Sequence, residues 1–265
     1  MGGGRRRYCT VIAQIVSGIG LLLFTLKKFP HFLLLPGRIP LRKQAFWEIA
    51  QYSFLTCLQQ SVMNLGILMV QGLVNSFGPA VMAAFAAAVK IDSFAYMPVQ
   101  DFGNAFSTFT AQNFGAKKTE RIRQGIKSAV CCSILFCLMI SIGVTVFAKQ
   151  LMLLFVKPEE TEILAVGIQY LRIEGAFYFG IGCLFLLYGF YRAVGRPGMS
   201  VVLTVISLGT RVFLAYLLSA VPAIGVKGIW WSVPIGWILA DFTGFTYLWI
   251  FRNRLRSPGL DGTRE

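Results

Sequence analysis

Hydrophobic positions along the chain fall into seven runs long enough to cross a bilayer. These runs cover residues 8–26, 47–74, 80–111, 128–148, 163–191, 199–219 and 226–250. About 20 apolar residues span the hydrocarbon core as an α-helix, because each residue adds about 1.5 Å along the axis. The pattern therefore predicts an all-α integral membrane protein, a polytopic bundle of about seven transmembrane helices.

The composition favours the same class of protein. Hydrophobic residues make up 56% of the 265 positions, only 14% are charged, and the mean hydropathy is +0.66. A soluble fold could not cover its surface with so few polar groups. The net charge of +14 comes from basic residues between the apolar runs, without a patch interleaved with aromatic side chains. We therefore expect a lipid bilayer as the partner and no nucleic acid.

Basic residues also predict the orientation in the membrane. Most of the 25 lysines and arginines lie in alternate connections, residues 27–45, 112–127, 192–198 and 251–265. Because basic loops remain in the cytoplasm, we expect a multi-pass plasma-membrane protein with a cytoplasmic C-terminus. Seven spans then place the tail MGGGRRR outside, where arginines are disfavoured. We expect that the chain begins inside a longer protein; the alternative is that this short tail tolerates its arginines outside.

Polar side chains in the third apolar run are the first candidates for function. On a helix, Lys90, Asp101 and Asn104 fall on one side, with Asp101 near the bilayer midplane and Pro98 bending the helix beside it. Asp92 points elsewhere. Ionisable residues at membrane depth are costly and usually mark an ion or substrate pathway. We predict that neutralising Asp101 impairs transport most.

The second apolar run carries a polar stripe on one side of its helix. Its members are Ser53, Thr56, Gln60, Asn64, Gln71 and Asn75. Such side chains either line a polar cavity or form hydrogen bonds between helices. We favour the cavity, with Gln60 and Asn64 facing Asp101, and keep interhelical bonding as the alternative.

The fifth and sixth runs contain further charged residues. Glu174 follows Arg172 and has Tyr178 as its neighbour at i,i+4 on a continuous helix. Arg211 could pair with Glu174 or Asp241, and buried pairing alone would explain all three. Glu174 is therefore a candidate for ion coupling, with a structural ion pair as the alternative.

Residue patterns for catalysis are absent from the sequence. It contains no nucleophile–base arrangement, no phosphate-binding loop and no metal-ligand spacing. The six cysteines lie in apolar runs without a CxxC motif, and the single histidine, His31, lies in a basic loop. We expect neither enzymatic activity nor a cofactor nor a metal centre.

Two blocks of the sequence resemble a known transporter family. They are AAVKIDSFAYMPVQDFGNA and YRAVGRPGMSVVLTVISLGTR, and from about Tyr8 to Arg252 the chain is similar to the C-terminal half of the multidrug and toxic compound extrusion (MATE) transporters. The resemblance implies twelve transmembrane helices in two six-helix lobes, with a cavity alternately open to each side. It also implies export of drugs or organic cations in exchange for protons or sodium ions.

The resemblance implies a domain organisation as well. Residues 1–45 would hold one truncated segment with a transmembrane helix and a basic cytoplasmic linker, 46–252 the C-terminal six-helix lobe, and 253–265 a cytoplasmic tail. The apolar runs would be the family's helices six to twelve, and the rest of the N-terminal lobe would be missing. Because alternating access needs two lobes, we expect no transport by this chain alone.

The coupling ion does not follow from the resemblance. The resemblance implies that sodium-coupled members have a glutamate at the position of Gln60 and an aspartate near the position of Ile181. Neither acid is present, so that sodium site is not carried over. Glu174, about two turns earlier, or Asp101 would replace it, and the ion is a proton or sodium.

Two alternatives to the exporter remain open. One is a lipid-linked oligosaccharide flippase of the same superfamily, which would favour a more cationic cavity for a diphosphate headgroup. The other is a truncated remnant that does not transport.

Overall fold

The computed structural model describes residues 3–28 and 43–255. Within these ranges it contains nine α-helices and no strand. The basic linker from 29 to 42, including His31, and the tail from 256 lie outside the described residues. The helices are α1 (Gly3–Lys28), α2 (Lys43–Asn75), α3 (Pro79–Gly115), α4 (Thr119–Val146), α5 (Ala148–Leu153), α6 (Thr161–Gly175), α7 (Tyr178–Ala193), α8 (Pro197–Ser219) and α9 (Val226–Leu255).

The described helices confirm the prediction of an all-α membrane protein with about seven spans. Six of them are long and apolar enough to cross a membrane, and α6 with α7 makes a seventh if the bent pair counts as one span. The fifth run, predicted as one helix over 163–191, is instead broken by a 52° bend. Gly175 ends α6, and glycine weakens a helix because its backbone loses more freedom on ordering than that of any other residue.

Helices α3 and α4 both extend into the connection that the apolar runs leave between them. The third helix continues to Gly115, and the fourth already begins at Thr119. The predicted basic loop over 112–127 is therefore mostly helical, with a short turn in which Lys117 has a φ of 55°. Hydropathy falls where the charged residues begin, whereas the backbone hydrogen bonds of the helix continue past them.

The chain divides into two compact units, Met1–Glu48 and Ile49–Glu265. The first unit contains α1, whose described side chains from 11 to 28 are exposed within the chain. The second unit contains most of α2 and all the later helices. The predicted domain boundary between residues 45 and 46 stays a prediction.

In the second unit, α7 is the central helix. It packs against α3, α4, α8 and α9. Glycines permit the closest approach: a Cβ on Gly189 of α7 would lie 2.5 Å from the carbonyl oxygen of Gly103 on α3. By contrast, most side chains of α2 are exposed, although Gly66 approaches Leu208 of α8.

Candidate functional site

Two carboxyl groups from different helices meet inside the second unit. Asp92 of α3 and Glu174 of α6 are each only 4% exposed. Asp92 Oδ1 accepts a short hydrogen bond from the Tyr178 hydroxyl at the start of α7. Glu174 Oε2 accepts one from the Tyr170 hydroxyl at 2.7 Å. We call these four residues the buried acid cluster.

The second oxygens of the two carboxyl groups lack a donor. Asp92 and Glu174 lie on α3 and α6, which pack against each other. Among the described residues, Asp92 Oδ2 and Glu174 Oε1 have no hydrogen-bond partner. Buried polar atoms are nearly always paired, so these two oxygens need a partner that the described side chains do not supply.

Arg211 on α8 supplies the nearby positive charge. Its charge acts on both Asp92 and Glu174, but within the described ranges it forms no direct ion pair with either. The predicted pairing of Arg211 with Glu174 or Asp241 is thus not formed as an ion pair among the described residues. Asp241 lies elsewhere, beside Gly180 of α7 and Trp237 of α9.

The break between α6 and α7 decides which tyrosine contacts which acid. The expected i,i+4 contact of Glu174 with Tyr178 is wrong, because the helix ends at Gly175 and a new one begins at Tyr178. Glu174 is instead bonded to the residue one turn earlier, Tyr170. Sequence reasoning missed Tyr170, although its spacing of four residues before a buried acid was the available signal.

Three aromatic side chains pack together on one side of the buried acid cluster. Tyr170 packs edge-on against Trp230 of α9 with ring centroids 4.8 Å apart, and Phe85 of α3 stacks on the same indole. All three rings are buried, and Trp230 is fully enclosed. The packing of these rings holds Tyr170 in place, with its hydroxyl bonded to Glu174.

The polar stripe of α2 lies on an exposed face of the chain. All six members of the stripe, including Gln60 and Asn64, are exposed. On α3, Lys90, Asp101 and Asn104 are exposed as well. The name exposed polar face is used below for the predicted candidates that share this exposure, on two helices: Gln60 and Asn64 of α2, and Lys90, Asp101 and Asn104 of α3.

A side-chain hydrogen bond connects the exposed polar face to α7. Asn104 Oδ1 accepts a hydrogen bond from Arg192 Nη2 at 3.0 Å. Arg192 begins the connection 192–198, predicted to be cytoplasmic, and its contact with Asn104 was not predicted. The structure does not bring Asp101 to the buried acid cluster, and its proposed role in transport stays a prediction.

A cavity of about 360 Å³ lies between α3 and α4 beside Pro98. Its walls are apolar apart from Cys132 and Ser133. Within the described ranges, no group of three or more histidine, cysteine or acidic side chains is placed to hold a metal ion. The buried acid cluster and the exposed polar face are therefore the two candidate sites.

Buried carboxyl groups at a broken membrane span are typical of transporters, where half-helix ends surround an ion site. The fold and the cluster therefore indicate a polytopic protein of the membrane-transporter class. The sequence profile described as MatE matches residues 53–217. The chain belongs to the MatE family.

Similar proteins agree with this assignment. The chain is 29% identical over 257 residues to "Probable multidrug resistance protein YpnP" of Bacillus subtilis, covering 93% of this chain and 54% of that protein. It is 24% identical to "Probable multidrug resistance protein NorM" of Thermotoga maritima, covering 93% and 50%. The chain therefore spans about half the length of these relatives.

A solved structure shows the same fold. It is that of a MOP superfamily transporter from Pyrococcus furiosus, with a TM-score of 0.82 at 19% identity. The superposition covers 94% of this chain and 56% of that one. This likeness supports the prediction that the chain corresponds to about one half of a MATE transporter.

Proposed function

We propose that this chain is the C-terminal lobe, with the preceding helix, of a cation-coupled exporter of drugs or other xenobiotics. The buried Asp92–Glu174 pair carries the proposal. Glu174 lies 13 residues after Thr161, about 20 Å along α6, and carboxyl groups at such depth are retained where an ion is handled. The coupling ion is a proton or sodium, and the transport cycle needs no cofactor and no enzymatic step.

The exposed polar face is the proposed substrate-binding surface. Its residues are accessible in this lobe, and the family's cavity lies between two lobes. Asp101 supplies a negative charge for an organic cation, while Gln60, Asn64 and Asn104 supply hydrogen-bonding groups. This assignment gives Asp101 a role in binding and Glu174 a role in ion coupling.

The proposed setting is the plasma membrane, with several spans and a cytoplasmic C-terminus. The lipid bilayer and an N-terminal lobe are the expected partners. A reporter fused after Glu160 should be active outside the cytoplasm, because the basic connections lie on the other side. Activity of that fusion as a cytoplasmic reporter would contradict the orientation.

A flippase is the second candidate function. Lys90 is exposed on the same face as Asp101, and Arg192 contacts Asn104 there. Cationic side chains would suit the diphosphate of a lipid-linked oligosaccharide. Translocation of such a lipid in vesicles, without drug efflux, would favour this function over the exporter.

Restoring an N-terminal lobe tests the exporter directly. Joined to the N-terminal half of a MatE relative, the chain should confer drug efflux on an efflux-deficient host, whereas the chain alone should not. Asp92→Asn and Glu174→Gln should remove efflux driven by an ion gradient. Glu162→Gln, an exposed change on the same helix as Glu174, is the matched control and should retain efflux.

Resistance conferred by the chain alone would contradict the need for a second lobe. It would instead indicate a half-transporter that assembles with itself. Equal membrane expression of all variants must be verified first, because a buried substitution can lower the amount of folded protein.

A further inference from the structure

We propose that the exposed polar face, together with Arg192 beside it, binds a zwitterionic organic molecule. Arg192 holds the anionic group of this molecule, and Asp101 holds its cationic group. The inference rests on the proposed function for its part in export, because it names the substrate class of the same surface. It adds Arg192, near the end of α7, to the residues that decide which molecule is bound.

Glycine packing places Arg192 beside α3. The backbones of α3 and α7 approach closely where a Cβ on Gly189 would lie 2.5 Å from the carbonyl oxygen of Gly103. Asn104 follows Gly103 directly, and Arg192 lies three residues after Gly189, on the same side of α7. The two polar side chains therefore meet, and Arg192 Nη2 donates to Asn104 Oδ1 at 3.0 Å.

The guanidinium of Arg192 is held in place without a counter-ion. Its Nε donates to the carbonyl oxygen of Tyr188, one turn earlier on α7, at 3.3 Å. Among the residues that the structure describes, no acidic side chain lies within ion-pairing distance of Arg192. The side chain is partly buried, so water solvates its charge less well than that of a surface arginine. An oriented guanidinium without an acidic partner suits an anionic ligand.

Asp101 presents the opposite charge on the same surface. It lies three residues before Asn104, so the Cβ atoms of these two residues are about 5–6 Å apart on one side of α3. Asp101 is exposed, and it forms no ion pair within the described part of the chain. Asn104 thus stands between a carboxylate and a guanidinium that do not pair with each other.

The spacing of the two charges defines the ligand. The path from Asp101 through Asn104 to Arg192 places them on the order of 10 Å apart. A molecule of that length with one cationic and one anionic group can pair with both. A simple cation is repelled by Arg192, and a simple anion is repelled by Asp101. Because a buried charge needs a partner, the pair favours a zwitterion over either ion.

Other charged residues of the two helices do not disturb this arrangement. Arg192 is the one charged residue of α7, and α3 carries only Lys90 and Asp92 besides Asp101. Lys90 lies 11 residues before Asp101, about 16 Å along the helix. Asp92 is buried and accepts a hydrogen bond from Tyr178. Arg192 and Asp101 are therefore the charges of α3 and α7 that a ligand beside Asn104 meets.

Three fluorescent dyes with the same xanthene ring system test the charge requirement. Rhodamine 110 is a zwitterion at neutral pH, rhodamine 123 is its methyl ester and a cation, and fluorescein is an anion. Fluorescence anisotropy measures their binding to the purified full chain in phosphatidylcholine nanodiscs. We expect the affinity for rhodamine 110 to exceed that for each of the other dyes by about tenfold, because only rhodamine 110 pairs with both charges.

Substitution of Arg192 tests its role in specificity. Arg192→Gln should weaken the binding of rhodamine 110 about tenfold and slightly strengthen that of rhodamine 123, because a nearby positive charge is lost. Arg192→Lys should restore part of the affinity for rhodamine 110, since it keeps the charge without the planar pair of donors. Arg172→Gln, which removes an exposed arginine of α6, is the matched control and should change neither affinity.

Substitution of Asp101 gives the complementary result. Asp101→Asn should weaken the binding of both rhodamines, because both carry the cationic group, and should strengthen that of fluorescein. Thermal melting verifies that each variant is folded, and the order of the three dyes in the unchanged chain decides the matter if Arg192→Gln does not fold. Equal affinities for the two rhodamines, an unchanged preference in folded Arg192→Gln, or no dye binding would overturn the inference. Tightest binding of fluorescein would also overturn it and would favour the flippase.

Efflux distinguishes this inference from the proposed function. In vesicles holding the transporter with a restored N-terminal lobe, an ion gradient should drive export of rhodamine 110, and this export should need Arg192. Export of rhodamine 123 but not of rhodamine 110 would overturn the inference and retain the exporter of cations. Binding of rhodamine 110 through Arg192 and Asp101, without gradient-driven export of any dye, would overturn the proposed function alone.

Discussion

Asp92 and Asp101 are the same residue type on the same helix, yet they lie in opposite surroundings. Nine residues separate them, which is two and a half turns and about 14 Å, so their side chains leave α3 on opposite sides. Asp92 is buried and bonded to Tyr178, whereas Asp101 is exposed. The packing of neighbouring helices, rather than residue type or depth, therefore decides which of the two aspartates is buried and which is exposed.

The largest expected effect would come from neutralising one of the two buried acids, Asp92 or Glu174, in a transporter with a restored N-terminal lobe. Glu174→Gln should abolish gradient-driven efflux, because it removes the charge of the buried carboxyl group that we propose to handle the coupling ion. Asp101→Asn should raise the substrate KM about tenfold for cations and leave the coupling to the gradient intact. Initial rates of efflux against substrate concentration separate the two effects. If Asp101→Asn lost its coupling to the gradient and Glu174→Gln kept it, the result would support the prediction from sequence that neutralising Asp101 impairs transport most.

The next largest effect is expected on stability, where the backbones of α3 and α7 approach each other. Gly189→Ala should lower the free energy of unfolding by about 1–3 kcal/mol, because its Cβ would meet the carbonyl of Gly103, which cannot move aside. Gly72→Ala on the exposed α2 has open space and should be neutral or slightly stabilising. Thermal melting of the purified chain in one detergent compares the two. Equal melting temperatures would show that α3 and α7 separate more easily than their packing indicates.

Removing one hydroxyl from the buried acid cluster should have a similar or smaller effect. Tyr178→Phe leaves Asp92 Oδ1 without its donor and should cost about 1–3 kcal/mol of folding free energy. Tyr216→Phe, in an exposed position of α8, is the matched control and should change little. Denaturant titration followed by tryptophan fluorescence measures both. An unchanged midpoint for Tyr178→Phe would mean that water replaces the hydroxyl in the cluster.

The smallest expected effect belongs to the contact on the exposed polar face. Asn104→Ala removes the acceptor for Arg192 and should cost less than about 1 kcal/mol, because both groups can turn to water or to a polar cavity. Its influence should appear instead in the substrate KM of the restored transporter. A destabilisation as large as that of Tyr178→Phe would show that the exposed face is structural.

The apolar runs by themselves determined the fold class. Twenty or so apolar residues can satisfy their backbone hydrogen bonds in lipid only as a helix, so the number and order of the spans follow from hydropathy. The blocks around Asp101 and Arg196 were enough to predict the family and the expected half-length of the chain. The ends of α3 and α4 were not predictable, because helical hydrogen bonds continue where hydropathy falls.

Only the tertiary structure brought Asp92, Glu174, Tyr170 and Tyr178 together. Asp92 and Glu174 are 82 positions apart, and Tyr178 bonds an acid 86 residues away rather than the one four residues before it. Wheel geometry places Asp92 and Asp101 on opposite sides of α3, but it cannot tell which side meets another helix. That choice depends on the packing of α7 against α3 through glycines and on the bend after Gly175, which are interactions between distant parts of the chain.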